Sequence, residues 1–329
     1  MKKTFALIIF ALVISFLCFN CTKKTPSSPA PGDDGSKLMK RADMYNPDGV
    51  LQQYILFTYN SAGYMTDSIY YSVTISASPV NISEDTYTYG PNNLTTSTKY
   101  YDNGVLMDTF TYTYDGLGRL LSRSYESSYP SSDSDTYEYN SDNLITKDTY
   151  TYTSLGSPTS SYTVYAYNAS KLTITAKQYN STDTLTGNTK YIYNTSNNLI
   201  EKDYYSVSSD IETLSYYDVY TYSGSMLVNE SEYWMNSGTP VQESSDSYTY
   251  TASGLMSSHT YSYYSSGVVS DTYLDSWEYN SFGGYTKYTW CDNVSCTYEG
   301  LEYDQSGRIT KVTNYDSSNA VTYYYIVAY

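Results

Sequence analysis

Few side chains in this sequence are of the types that do covalent chemistry. A single histidine, His259, stands in the run Ser257-Ser258-His259-Thr260-Tyr261. A serine near a histidine raises the question of a nucleophile and its base, but that pair needs a third group to orient the ring. No Gly-x-Ser-x-Gly elbow accompanies it, so the expectation is a solvated histidine at a strand edge. Asp133 and Asp135 are spaced like carboxylates that act on glycosides. They fall in a serine-rich stretch, which reads as a solvated loop or a weak calcium site. No glycine-rich phosphate loop opens a helix. The expectation is a non-enzymatic chain with no catalytic residue, no cofactor and no dedicated metal site.

Four cysteines remain. Cys291 and Cys296 flank Asp292-Asn293-Val294-Ser295, the spacing of a four-residue hairpin loop. Facing each other across two strands in an oxidising compartment, they would form a disulfide. Closing so small a loop contributes about 2 kcal/mol. Zinc needs more ligands than two cysteines with no histidine nearby. At the N-terminus, Lys2 and Lys3 precede an apolar run from Phe5 to Phe19, too short to span a bilayer comfortably. Cys21 follows, then a polar stretch from Thr22 to Lys37. This arrangement resembles a bacterial lipoprotein signal, although Cys18 and Asn20 occupy positions where that family prefers Leu and a small residue. The resemblance implies lipidation at Cys21 and export to the cell envelope, facing the periplasm or the cell surface. It divides the chain into a signal peptide (1–20), a lipidated N-terminus with a flexible linker (21–50) and a folded array (51–329).

Composition bounds the folded part. The chain has 329 residues, 47 Tyr but 7 Phe, a mean hydropathy of -0.50 and a formal charge of -16. Tyrosine suits a half-wet surface better than a closed core. The negative charge repels phosphates, so nucleic acid is not an expected partner.

The elements that must position these residues come from an internal repeat. An aromatic-x-Tyr pair recurs at Phe57/Tyr59, Tyr87/Tyr89, Tyr112/Tyr114, Tyr137/Tyr139, Tyr165/Tyr167, Tyr191/Tyr193, Tyr220/Tyr222, Tyr248/Tyr250 and Trp277/Tyr279, with Leu301/Tyr303 as a variant. The period is roughly 27 residues. Residues two apart share a strand face. After the second Tyr comes Asn or Asp in most units, then Gly or Asn three residues later, which is hairpin-turn chemistry. Lys171 and Met226 break that last pattern. An apolar residue opens the return strand. The joins between hairpins vary in length, as over 126–135, 153–161 and 235–247, and read as polar loops of the kind that carry binding sites.

The segments Tyr112-Thr-Tyr-Asp115-Gly-Leu-Gly118-Arg119-Leu120 and Leu301-Glu-Tyr-Asp304-Gln-Ser-Gly307-Arg308-Ile309 resemble the tyrosine-aspartate (YD, or RHS) repeat. That resemblance implies a ribbon of β-hairpins at a cell surface. The expected fold is therefore all-β, tandem antiparallel hairpins forming an elongated or curled sheet, with a β-propeller as the alternative. An outer-membrane barrel ranks last, because Thr, Ser and Lys interrupt every strand. The expected function is a cell-envelope binding scaffold, or adhesin-like module, for glycan or protein. A purely structural spacer and a hydrolase are the other two readings.

Overall fold

The computed structural model of the chain describes residues 38–73, 80–128 and 131–329. Valine, threonine and tyrosine favour extended backbone, and the described residues hold 22 strands, one 3-10 turn at Pro91–Asn93 and no α-helix. The strands are β1 (Arg41–Tyr45), β2 (Leu51–Tyr59), β3 (Met65–Ser72), β4 (Val80–Tyr89), β5 (Thr95–Asp102), β6 (Val105–Tyr114), β7 (Leu120–Ser127) and β8 (Ser131–Tyr139). They continue as β9 (Ile145–Ser154), β10 (Ser157–Tyr167), β11 (Thr173–Asn180), β12 (Leu185–Tyr193), β13 (Leu199–Ser208), β14 (Ile211–Ser223) and β15 (Met226–Asn236). The last seven are β16 (Thr239–Tyr250), β17 (Met256–Ser265), β18 (Val268–Tyr279), β19 (Tyr285–Cys291), β20 (Cys296–Tyr303), β21 (Ile309–Tyr315) and β22 (Val321–Ala328).

Each strand pairs antiparallel with the next, and β22 pairs with β1, from Arg41 opposite Ala328 to Tyr45 opposite Tyr324. The sheet is therefore a closed barrel. This corrects the expected open or curled hairpin sheet, and equally the propeller, whose blades would be separate small sheets. All-β structure is the part of the expectation that holds. Closure depends on Arg41-Ala-Asp-Met-Tyr45, which lies within the stretch expected to be linker. That strand bonds both β2 and β22 and so joins two edges whose backbone groups would otherwise stand open.

The joins expected to be loops are mostly strand. Leu155-Gly156 and Ser237-Gly238 are two-residue turns with both φ positive (50° and 79°, 51° and 83°), the twist that suits a tight hairpin. Variation in repeat length is absorbed by strand length, from 7 residues in β19 and β21 to 13 in β14. Serine and threonine there look like loop composition, yet alternate strand positions face outward and carry them at little cost.

At the opposite rim the turns follow one design. Asn60 Oδ1 accepts the backbone N–H groups of Ala62 and Tyr64, both at 3.0 Å. Asp115 Oδ1 does the same for Leu117 (2.8 Å) and Arg119 (3.0 Å). Asn thus replaces Asp without loss to the turn. The arginine matters where Asp is present: Arg119 Nε meets Asp115 at 2.6 Å and its guanidinium covers the Tyr139 ring of the next unit. Arg308 repeats this with Asp304 and Tyr329. Lys171 keeps the left-handed backbone of its neighbours (φ 62°), and Ser223 and Met226 are joined by a shorter turn through Gly224.

The second tyrosine of the repeat explains the excess of Tyr over Phe. The β3–β4 ladder ends at Asp67 opposite Thr86, leaving the Met65 carbonyl beyond it. Tyr89 reaches back from β4 and donates its hydroxyl to that carbonyl at 2.7 Å. Tyr114, Tyr139, Tyr167, Tyr193, Tyr250, Tyr279, Tyr303 and Tyr329 make the same bond to Thr95, Leu120, Ile145, Thr173, Leu227, Met256, Tyr285 and Ile309. Phenylalanine would fill the space and leave those carbonyls unpaired.

Among the described residues, the compact apolar core lies at the seam. Ile55 and Val312 are each 1% exposed and pack with Ala42, Phe57, Leu301 and Tyr325. Tyr70 of β3 and Tyr285 of β19 pack against this same cluster, although six strand-to-strand steps separate them around the ring. The face they share is therefore concave, the inside of the barrel.

Candidate functional site

Cross-strand partners point to the same side of a sheet, so the register carries the inward face around the ring. The aromatic-Tyr pairs line the interior. Two residues before the first aromatic of the pair, hence on the same face, an acid recurs: Asp85, Asp135, Asp218, Asp246, Asp275 and Glu299. Period-2 reading backwards from the tyrosines would have found this belt; the aromatics drew attention forward, to the turns. Asp102, Asp108, Asp133, Asp148, Glu230, Glu232 and Asp271 add to the lumen charge. Against them, the inward strand positions carry the cations Arg123 and Lys202. Lysines on the convex face, among them Lys147, Lys190, Lys287 and Lys311, offset its acids. The net negative charge is thus concentrated inside.

Several of these acids are held by tyrosines. Tyr125 donates to Asp108 (2.7 Å), Tyr165 to Asp148 (2.7 Å), Tyr204 to Asp218 (3.0 Å) and Tyr288 to Asp275. Burial raises Asp85, Asp218 and Glu230 above the usual carboxylate range, the charge of Asp218 adding to the effect at Glu230. Glu299 is 5% exposed, and burial pushes it up to about 7. Its charge is felt by Tyr285, Tyr288, Tyr303, Tyr323 and Tyr325, and Tyr285 donates to it at 3.4 Å.

His259 is not at a strand edge. It sits in the middle of β17, inside the barrel, with Nε2 2.5 Å from Asp246 and Nδ1 3.5 Å from Asp275. The Tyr248 ring stacks on it at 4.9 Å. Both ring nitrogens are engaged by carboxylates of the flanking strands, so the imidazole cross-links β16, β17 and β18. Asp133 and Asp135 also lie on a strand, β8, where Arg123 bridges them at 3.4 and 2.7 Å. That clamp occupies the carboxylates expected to be solvated. No group of three or more His, Cys, Asp or Glu side chains is arranged to hold a metal ion among the described residues.

The interior is hollow away from the seam. Inward-facing Trp234, Tyr263, Tyr150 and Tyr152 remain 48%, 43%, 41% and 40% exposed. Tyr204, Tyr216 and Trp234 stack across β13, β14 and β15 with centroids 4.0 and 5.3 Å apart. The convex face is built differently. Thr109, Thr111, Ser122, Thr149, Thr151 and Lys147 face outward, and a basic residue often caps a pair of stacked rings. Lys147 covers Tyr162, which stacks on Tyr179, and Lys287 covers Tyr298, which stacks on Tyr315.

Comparison with known proteins adds little to this geometry. No family model matches the chain, and no curated protein matches it. Among solved structures it is similar to a TcdB2-TccC3-TEV toxin chain: 11% identity over 83% of this chain and 17% of that one, TM-score 0.35. A TcdB2-TccC3 chain gives 12% identity over 86% and 20%, TM-score 0.30. A porin-like protein from Bacteroides uniformis gives 10% identity over 88% and 96%, TM-score 0.28. The chain thus spans 17% and 20% of the length of those two toxin chains. At these scores the likeness extends to β-rich structure and no further.

Cys291 and Cys296 are cross-strand partners at the end of the β19–β20 hairpin, their sulfurs bonded at 2.06 Å. Asn293 of that loop accepts the Thr272 backbone N–H (2.8 Å) and donates to Asp271 (2.9 Å), tying the hairpin to β18. Cys21 lies outside the described residues.

Proposed function

We propose that the protein is a non-enzymatic binding protein of the bacterial cell envelope, tethered by a lipid on Cys21, that takes a glycan into its barrel. The observation that carries this reading is the set of inward-facing aromatic rings left 40–48% exposed to the lumen. Such rings stack on sugar faces, and the carboxylates beside them accept hydroxyl hydrogen bonds. The binding surface moves from the joins between hairpins, expected from sequence, to the interior, because joins such as Leu155-Gly156 and Ser237-Gly238 are two-residue turns. A folded protein ligand is less suited to an enclosed wall of rings than an extended saccharide is. The YD-type turns, with Asp115 and Asp304 each gripping an arginine, support descent from a surface hairpin-repeat ancestor. A convex face carrying threonine, serine and lysine favours an aqueous surround, with the lipid as the attachment.

The test is calorimetric titration of the purified chain with neutral and charged oligosaccharides, together with a glycan array. Saturable binding accompanied by a saturable change in the fluorescence of the lumen tryptophans supports the reading. No binding on any arm would leave the structural-spacer alternative. The tether is tested separately, by mass spectrometry of the mature N-terminus with and without Cys21→Ser; an unmodified Cys21 in the membrane fraction would refute it.

A further inference from the structure

Three aromatic rings on the inward face touch in sequence across three strands. Trp234 of β15 stacks on Tyr216 of β14, with centroids 5.3 Å apart and planes 17° from parallel. Tyr216 stacks in turn on Tyr204 of β13, at 4.0 Å and 18°. At such separations the π-faces are in contact. One end of the row is open, because Trp234 is 48% exposed. The other end meets Asp218, which is 8% exposed.

The two end rings donate to carboxylates and the middle one does not. Trp234 Nε1 donates to Glu232 at 2.9 Å. The Tyr204 hydroxyl donates to Asp218 Oδ2 at 3.0 Å, and Tyr220 donates to the same oxygen at 3.3 Å. Among the described residues no carboxylate accepts from the Tyr216 hydroxyl, although Asp218 and Glu232 both act on it through their charge. One-electron oxidation of an aromatic row requires this pattern. An indole or a phenol that loses an electron becomes strongly acidic, and a carboxylate within hydrogen-bond reach takes the proton. Lys202 Nζ lies over the Tyr204 ring at 4.5 Å. It opposes positive charge there, so the electron leaves Tyr204 only together with its proton. Burial raises the Asp218 carboxyl, which makes it a better base.

The geometry points to a one-electron relay in the barrel wall: a small radical oxidant entering the lumen oxidises Trp234, and the radical comes to rest on Tyr204. In the first step the oxidant takes one electron from the indole, and Nε1 passes its proton to Glu232. In the second, an electron moves from Tyr204 through the Tyr216 ring to the indolyl radical. The Tyr204 hydroxyl proton goes to Asp218, and Glu232 returns its proton to Nε1. The net change is a reduced oxidant, a neutral phenoxyl at Tyr204 and a protonated Asp218. The exposed indole is restored. This relay does not depend on what the lumen binds.

The test is pulse radiolysis of the full chain with the azide radical, which oxidises indole in preference to neutral phenol. A Trp277→Phe/Trp290→Phe background leaves Trp234 as the one indole. The expected result is first-order decay of the indolyl absorption with a matching rise of phenoxyl absorption, at a rate independent of protein concentration. Tyr204→Phe keeps the ring and the stack but removes the proton that must move. Asp218→Asn keeps the shape and removes the base. Each should slow the conversion by about tenfold or more, whereas Tyr150→Phe, elsewhere on the lumen wall, should leave it unchanged. A parent-like rate in Tyr204→Phe overturns the inference, because the radical would then rest on another ring. A parent-like rate in Asp218→Asn overturns it too, because the proton would leave by another route. An indolyl radical that persists in the parent, or a rate proportional to protein concentration, likewise overturns it.

Discussion

Replacing Glu299 with glutamine should stabilise the barrel at alkaline pH and do nothing in acid. Glu299 is buried among tyrosines with no cation beside it, and its carboxyl rises from 4.5 to about 7 on folding. A raised carboxyl binds its proton more tightly in the folded chain than in the unfolded one. Its contribution is therefore fully present below about pH 4.5 and is lost as pH rises through about 7. The shift of about 2.5 pH units corresponds to about 3 kcal/mol at 1.36 kcal/mol per unit. Glutamine cannot ionise, and its carbonyl can still accept from Tyr285. In urea titrations of the full chain, Glu299→Gln should match the parent at about pH 4 and exceed it by about 3 kcal/mol at about pH 8. The difference between the two proteins is the diagnostic quantity, because Asp85, Asp218 and Glu230 are also raised and bend the parent's curve the same way. Equal stability of parent and variant at pH 8, or a less stable variant, would refute the reasoning. It would mean that the tyrosine hydroxyls, by turning toward the charge, solvate it as well as water does.

The remaining predictions concern the frame. Tyr279→Phe removes the hydroxyl that meets the Met256 carbonyl (2.6 Å) and should cost about 1 kcal/mol in urea melts; a neutral result would show that water reaches that carbonyl. Deleting residues 38–45 removes the strand that closes the ring, and the two edges so exposed should pair between molecules. Size-exclusion chromatography should then show a larger species than the parent gives, and a deletion variant that elutes with the parent would argue that β2 and β22 join directly. Reducing the Cys291–Cys296 bond, or replacing both cysteines by serine, should lower stability by about 2 kcal/mol. An unchanged midpoint would mean that the Asn293 contacts to β18 hold the hairpin without it.

Local rules in the sequence determined the hairpins. The aromatic pair, the Asx residue after it and the left-handed position before the return strand each act within a few residues, so their spacing was enough to place the turns at Asn60, Asp115, Asn140, Asn168, Asn194, Asn280 and Asp304. The Cys291–Cys296 spacing likewise named a cross-strand pair. Closure was not legible, because it depends on the accumulated coil of 22 strands and on a five-residue strand, Arg41–Tyr45, with no aromatic pair to announce it. The joins were misread because serine and threonine are equally at home in a loop and on the wet face of a strand; only pairing distinguishes the two. The same holds for the interior. That an acid stands two positions before an aromatic is written in the chain, but whether the shared face looks into solvent or into a lumen is decided by the direction in which the whole sheet curves. That direction turned His259 from a surface residue into a cross-link, and a scattered negative charge into the lining of a cavity.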